Sequence, residues 1–150
     1  MIPKKSSLLL GTALLVFCAA PRPGNLGLTA GKFFPCPRTP NCVNTQSADS
    51  AHAMQPLHYK GSRDSAMARL VRVISSMKRT KIITLTPAYL HVEFTTALMR
   101  YVDDVEFFVD DSKKTIEFRS ASRIGYSDMG VNRKRMGEIT ARFLSDKEPH

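Results

Sequence analysis

The sequence predicts an α+β fold: a single antiparallel sheet of about four to five strands with two helices packed on one face. Three observations carry this. An apolar repeat of helical period runs from Arg63 to Met77. A period of two runs through four segments between Lys81 and Ile124. A second, looser helical pattern closes the chain after Gly125. Helix, four strands on short turns, then helix is an order that pairs neighbouring strands antiparallel. The helices are left to cover one face.

The first helix opens with Ser62 as N-cap and Asp64 at the positive end of the dipole. Ala66, Met67, Leu70, Val71, Ile74 and Met77 share its apolar side. Strands over 81–86 and 89–95 flank Pro87-Ala88. In the second of these, Leu90, Val92 and Phe94 fall on one face, and Tyr89, His91, Glu93 and Thr95 on the other. A third strand, 101–110, sets Val105, Phe107 and Val109 against Asp104, Glu106 and Phe108. After a turn at Asp111-Ser-Lys-Lys114, a fourth strand over 115–124 sets Ile116 and Phe118 against Glu117, Arg119 and Arg123. Pairing Val109 with Ile116 across that turn brings Phe107 opposite Phe118 and Glu106 opposite Arg119. Each such pair supports the register by about 0.2–1 kcal/mol. Ser127 or Asp128 starts the last helix, with Val131, Met136, Ile139, Ala141, Phe143 and Leu144 on its apolar side.

The 150 residues suit one domain, placed at 55–145 with a short tail over 146–150. Residues 1–20 read as a signal peptide or lipoprotein leader. Lys4 and Lys5 precede an apolar run from Leu8 to Ala20, and Pro21-Arg22-Pro23-Gly24 breaks it. A buried N-terminal helix is the alternative. Leu15-Val16-Phe17-Cys18 resembles a bacterial lipobox with Cys18 as the lipid anchor, although Phe17 stands where a small residue belongs. Cleavage near Ala19 or Ala20, or an uncleaved short anchor, are its rivals. The expected location is exported: periplasmic or cell-envelope.

Residues 21–54 are Pro-rich and irregular; 21–60 hold six of the nine prolines. With Cys18 set aside, Cys36 and Cys42 remain. Outside the cytoplasm a pair so close reads as a disulfide, worth roughly 2 kcal/mol in the chain-entropy model. A metal site or free thiols are the other readings, but His52 and His58 lack zinc-finger spacing.

Three segments together carry a resemblance: Pro35-Cys-Pro-Arg-Thr-Pro-Asn-Cys-Val43, Tyr101-Val-Asp-Asp-Val-Glu106, and the run from Phe118 to Arg135. They resemble the family known as domain of unknown function 1499, over about residues 33–144. The resemblance implies one small domain, often exported or lipid-anchored. It implies no catalytic residue.

The densest polar stretch runs from Arg119 to Arg135. A glycine-bearing loop feeding a helix N-terminus, with arginines beside it, is suited to an anion such as a carboxylate or phosphate. Arg119, Ser122, Arg123, Asp128, Asn132 and Arg133 are the candidate ligand-binding residues. The competing structural reading pairs Arg119 and Arg123 with Glu106, Asp103 or Asp104 and uses Asp128 as a helix cap. A second candidate site, for a small-molecule hydrolase, is His91, Glu93 and Glu106 on the sheet face opposite the apolar one, expected to be exposed. The serines lack a nucleophile elbow. No cofactor fingerprint or metal-ligand spacing is present. The net charge is +9, or +7 without Lys4 and Lys5 (20 basic residues less 13 acidic). It favours anionic small molecules, lipid headgroups or a protein partner. The acidic run at 103–106 and the absence of an aromatic-plus-basic RNA motif argue against nucleic acid. The favoured expectation is a non-catalytic, envelope-associated binding protein, membrane-associated through Cys18.

Overall fold

The computed structural model describes residues 20–146. The expected leader, with Cys18, lies outside the described residues apart from Ala20, as does the tail after Asp146.

The chain opens with a two-stranded ribbon, β1 (Leu28–Thr29) and β2 (Lys32–Phe33). Ala30 and Gly31 both hold positive φ, the turn that matches the twist of a tight hairpin. Gly31 also lies against Phe108, where a Cβ would come within 3.6 Å of the ring. Next come β3 (Cys42–Asn44), β4 (Leu57–His58) and α1 (Arg63–Ser75). The Ser62 side chain accepts a hydrogen bond from the Ser65 amide, the cap its position predicts. A meander follows: β5 (Thr80–Leu85), β6 (Tyr89–Thr95), β7 (Val102–Asp110) and β8 (Thr115–Ser122). The chain finishes with α2 (Val131–Ser145).

The main sheet has six strands in the order β3-β8-β7-β6-β5, all antiparallel, with β4 also on β8. Strands β3 and β4 lie end to end along one edge of β8. The other edge is β5, whose ladder is interrupted by a bulge between Ile82 and Thr84. The expected four to five strands are therefore six, plus a ribbon. The extra strands are two or three residues long, too short to show a period. The β7–β8 register is the expected one, with Val109 opposite Ile116, Phe107 opposite Phe118 and Glu106 opposite Arg119.

Leu90, Val92, Phe94, Val105, Phe107, Val109, Ile116 and Phe118 form the core with the inward faces of both helices. α1 packs against β7 and α2, and α2 against β8 and β3. On α2 the buried stripe is Asn132, Met136, Ile139 and Phe143. Val131, Ala141 and Leu144, expected on that stripe, are exposed, because a helical period through 136, 139 and 143 turns them outward. The helix starts at Val131, three or more residues after the expected Ser127 or Asp128. Gly130 occupies the cap position at φ 78°, a conformation that favours glycine.

Residues 20–46, most of the Pro-rich segment, cross the sheet face opposite the helices. There they bury His91, Asp104, Glu106 and Arg119. The expectation of an exposed polar face is corrected: that face carries a third, irregular layer.

Candidate functional site

Alternation along β6, β7 and β8 brings Glu93, Asp104 and Glu106 together with His91, Arg119, Arg123 and Tyr89 on the covered face. The register sets His91 opposite Glu106, Glu93 opposite Asp104, and Glu106 opposite Arg119. Glu106, fully buried, accepts hydrogen bonds from the Gly27 amide (2.6 Å), the Tyr89 hydroxyl (2.8 Å) and Arg119 Nη1 (3.2 Å). Asp104 accepts from Arg123 Nε (2.7 Å) and Nη2 (2.8 Å), and lies 2.8 Å from His91 Nε2. Glu93 bridges Arg123 Nη2 (2.5 Å) and Arg22 Nη2 (2.8 Å). Arg123 Nη1 donates to the Ala20 carbonyl at 3.1 Å. Arg22, Arg119 and Arg123 thus offset Glu93, Asp104 and Glu106, three against three.

Burial works to raise the Asp104 carboxyl, but Arg123 and His91 outweigh it and hold it below the ordinary carboxylate range. Glu93 behaves alike: burial raises it, and Arg22 and Arg123 bring it below its usual value. Burial, then the Glu106 charge, raises the Tyr89 phenol, so it stays a neutral donor. The hydrogen bonding of Arg123 to the Asp104 carboxylate leads the causes that raise Arg123.

A cavity of about 230 Å³ lies between the covering segment and β8. Asn25, Pro37, Asn41, Asp104, Arg119 and Arg123 line it. Arg119 is 2% exposed, and its buried Nε has no hydrogen-bond partner among the described residues. A guanidinium carries five N–H donors, and Glu106 engages Arg119 through Nη1.

The second polar cluster lies on the helix side of the sheet. Asn132, buried, donates to the Asn41 carbonyl, Ser122 Oγ and Asp128, and accepts from Ser120 Oγ and Arg135. Asp128 takes the Gly130 and Asn132 amides, so it caps α2 from outside the helix. Arg135 pairs with Asp103 and lies over the Phe94 ring. Arg133 donates to the Ala51 and Ala53 carbonyls.

The six candidate ligand-binding residues are therefore not one cluster. Arg119 and Arg123 face the cavity under the covering segment. Ser122 lies at its rim, with its hydroxyl bonded to Asn132. Asp128, Asn132 and Arg133 lie on the helix side and hold loops and the helix start. Alternation in β8 turns the Ser122 hydroxyl to the helix side while Arg119 faces the cavity, and α2 carries Asn132 and Arg133 on the helix side. The hydrolase candidates His91, Glu93 and Glu106 do share a face, but His91 is buried, held by Asp104, and does not line this cavity.

Asn41 and Asn25 were missed as cavity residues. The signal available for Asn41 was its place in the cysteine loop. Cys36 and Cys42 form a disulfide, which settles the expected pair against free thiols or a metal. The loop fixes Asn41, whose side chain donates to the Gly125 carbonyl at 2.7 Å. Among the described residues, no group of three or more His, Cys, Asp or Glu side chains is placed to hold a metal ion. No described helix is long and apolar enough to cross a membrane.

These features define a class: a small, disulfide-stapled α+β protein with an ion network sealed under its N-terminal segment. The chain belongs to the family described as protein of unknown function (DUF1499), which matches residues 32–143. No curated protein matches the chain.

Proposed function

We propose that this is a non-catalytic, exported envelope protein that holds a small anion in the cavity beside Arg119. One observation carries the reading. Arg119 is a buried guanidinium whose Nε has no partner among the described residues, and it lines a cavity beside a second arginine. Buried donors without acceptors are rare, and a carboxylate or phosphate supplies acceptors in a matching fork. Glu106 already accepts from three donors, so Arg119 is the under-used member of the pair. The disulfide supports an oxidising compartment. The hydrolase alternative on His91, Glu93 and Glu106 has less to support it, since the imidazole is buried and engaged by Asp104.

The test is thermal unfolding of the full chain against inorganic phosphate and acetate. The expected result is a saturable rise, about 2.7 kcal/mol at a hundredfold excess over Kd. Arg119→Gln removes the rise. Asn25→Asp puts a negative charge at the cavity without touching Glu106, and it weakens the rise while leaving the fold intact. No stabilisation by either anion, or full stabilisation of Asn25→Asp, overturns the reading.

A further inference from the structure

Eleven large apolar side chains are exposed among the described residues, and seven of them gather at one end of the sheet. Scattered exposed apolar residues are ordinary; a concentration is not. The β6–β7 loop presents Leu98, Met99 and Tyr101, and the β8–α2 loop presents Ile124, Tyr126 and Met129. A groove of about 440 Å³ runs between the loops. Leu98 is 85% exposed, Tyr126 73% and Met129 95%. Met129 is not on a slack chain: its amide bonds Ser127 Oγ, and Asp128 holds the next amide.

Two further observations say what covers this end. A second groove, of about 500 Å³, adjoins the first and shares Thr96 and Val131 with it. Lys78, Arg79, Lys134, Arg135 and Arg142 line it against one carboxylate, Glu138. Apolar tips beside a basic groove suit an anionic lipid surface. A second copy of the chain would bring the same cations face to face. The chain also enters here. Ala20 is held by Arg123, the residue before Ile124. Cys18, the expected lipid anchor, is two residues before Ala20 in the sequence.

We propose that the two loops form a docking surface for an anionic bilayer, with Leu98, Tyr126 and Met129 entering the headgroup layer and the basic groove against it. This stands independently of the anion cavity. A single acyl chain anchors only marginally, and such a surface is the second signal that stable anchoring needs.

The chain has no tryptophan, so one introduced tryptophan reports its own surroundings. Full-length Met129→Trp is mixed with vesicles of phosphatidylcholine plus phosphatidylglycerol, and with phosphatidylcholine alone. Ser112→Trp, on the β7–β8 turn at the far end of the sheet, is the control. The expected result is a saturable blue shift at position 129 on the anionic vesicles, weakened by salt and absent at position 112. Adding Leu98→Glu and Tyr126→Glu, both at exposed sites, weakens binding at least about tenfold. No shift at 129 overturns the proposal, as do equal shifts at both positions or on both vesicle types. Undiminished binding of the glutamate variants would assign binding to the N-terminal apolar run and also overturns it. A shift without vesicles that grows with protein concentration would give the surface to a second copy instead.

Discussion

Arg123 is the residue on which the covered face turns. It reaches two carboxylates and the Ala20 carbonyl, and it sits almost wholly out of water. Deleting one member of such a group leaves another charge stranded, which costs far more than the intact pair contributes. Asp104→Asn is expected to lower stability by about 3–5 kcal/mol in urea denaturation. Lys113→Ala breaks an ion pair with Asp110 on the exposed turn and leaves the urea midpoint in place. Equal effects of the two would mean that the covered face is wet. Protons act on the same residues. Asp104 and Glu93 titrate below their ordinary values of 3.8 and 4.5 in the folded chain. The unfolded chain therefore binds more protons as acid is added. Their contribution is complete above about pH 4.5 and drains away as pH falls through the folded values. Arg22→Gln removes one of the cations on Glu93, so its stability falls less steeply in acid than that of the parent. Superimposable acid limbs would count against the Glu93 assignment.

At the scale of elements, the two helix starts are built differently. Ser62 caps α1 from the cap position, whereas Asp128 reaches α2 from two residues before Gly130 and takes two amides. Ser62→Ala is expected to cost about 1 kcal/mol and Asp128→Ala up to about 2 kcal/mol by thermal or urea unfolding. The same contrast separates what the sequence reveals from what it hides. α1 and the meander were legible because long segments repeat: Leu90, Val92 and Phe94 leave no doubt about a face, and Glu106 opposite Arg119 fixed a register. β3 and the ribbon were not, since two or three residues carry no period. The start of α2 was misplaced because an aspartate can cap at a distance. The site was half legible. Arg119 and Arg123 stood out by charge, but charged residues on alternate positions read as an exposed face. Only the covering layer, which has no period of its own, reverses that reading. Asn132 and Arg133 were grouped with them by closeness in sequence, but both belong to α2, which packs on the other face of the sheet.

For the whole molecule, the Cys36–Cys42 staple and the sealed face are one device. The staple stiffens the segment that covers the charges. Replacing both cysteines by serine is expected to cost about 2 kcal/mol. It also speeds hydrogen exchange at the Gly27 and Phe33 amides, which bond Glu106 and Gln46. Amides in the β6–β7 ladder keep their protection at native pH, because that ladder does not touch the staple, whereas β8 pairs with Cys42 itself. Equal loss of protection in both regions would show that the covering segment and the sheet open together.

The covering layer also dictates an order of events as the chain is made. Gly27 waits for Glu106, 79 residues later, and Ala20 waits for Arg123, 103 residues later. The cysteines, six apart, have no such distant partner to wait for. A ribosome adding about 5–20 residues per second leaves these first residues without their partners for several seconds at least. Contacts that span so much of the chain also close slowly once every residue is present. The segment that emerges early is thus among the last to settle, because Asp104, Glu106, Arg119 and Arg123 beneath it all lie in the C-terminal third of the chain.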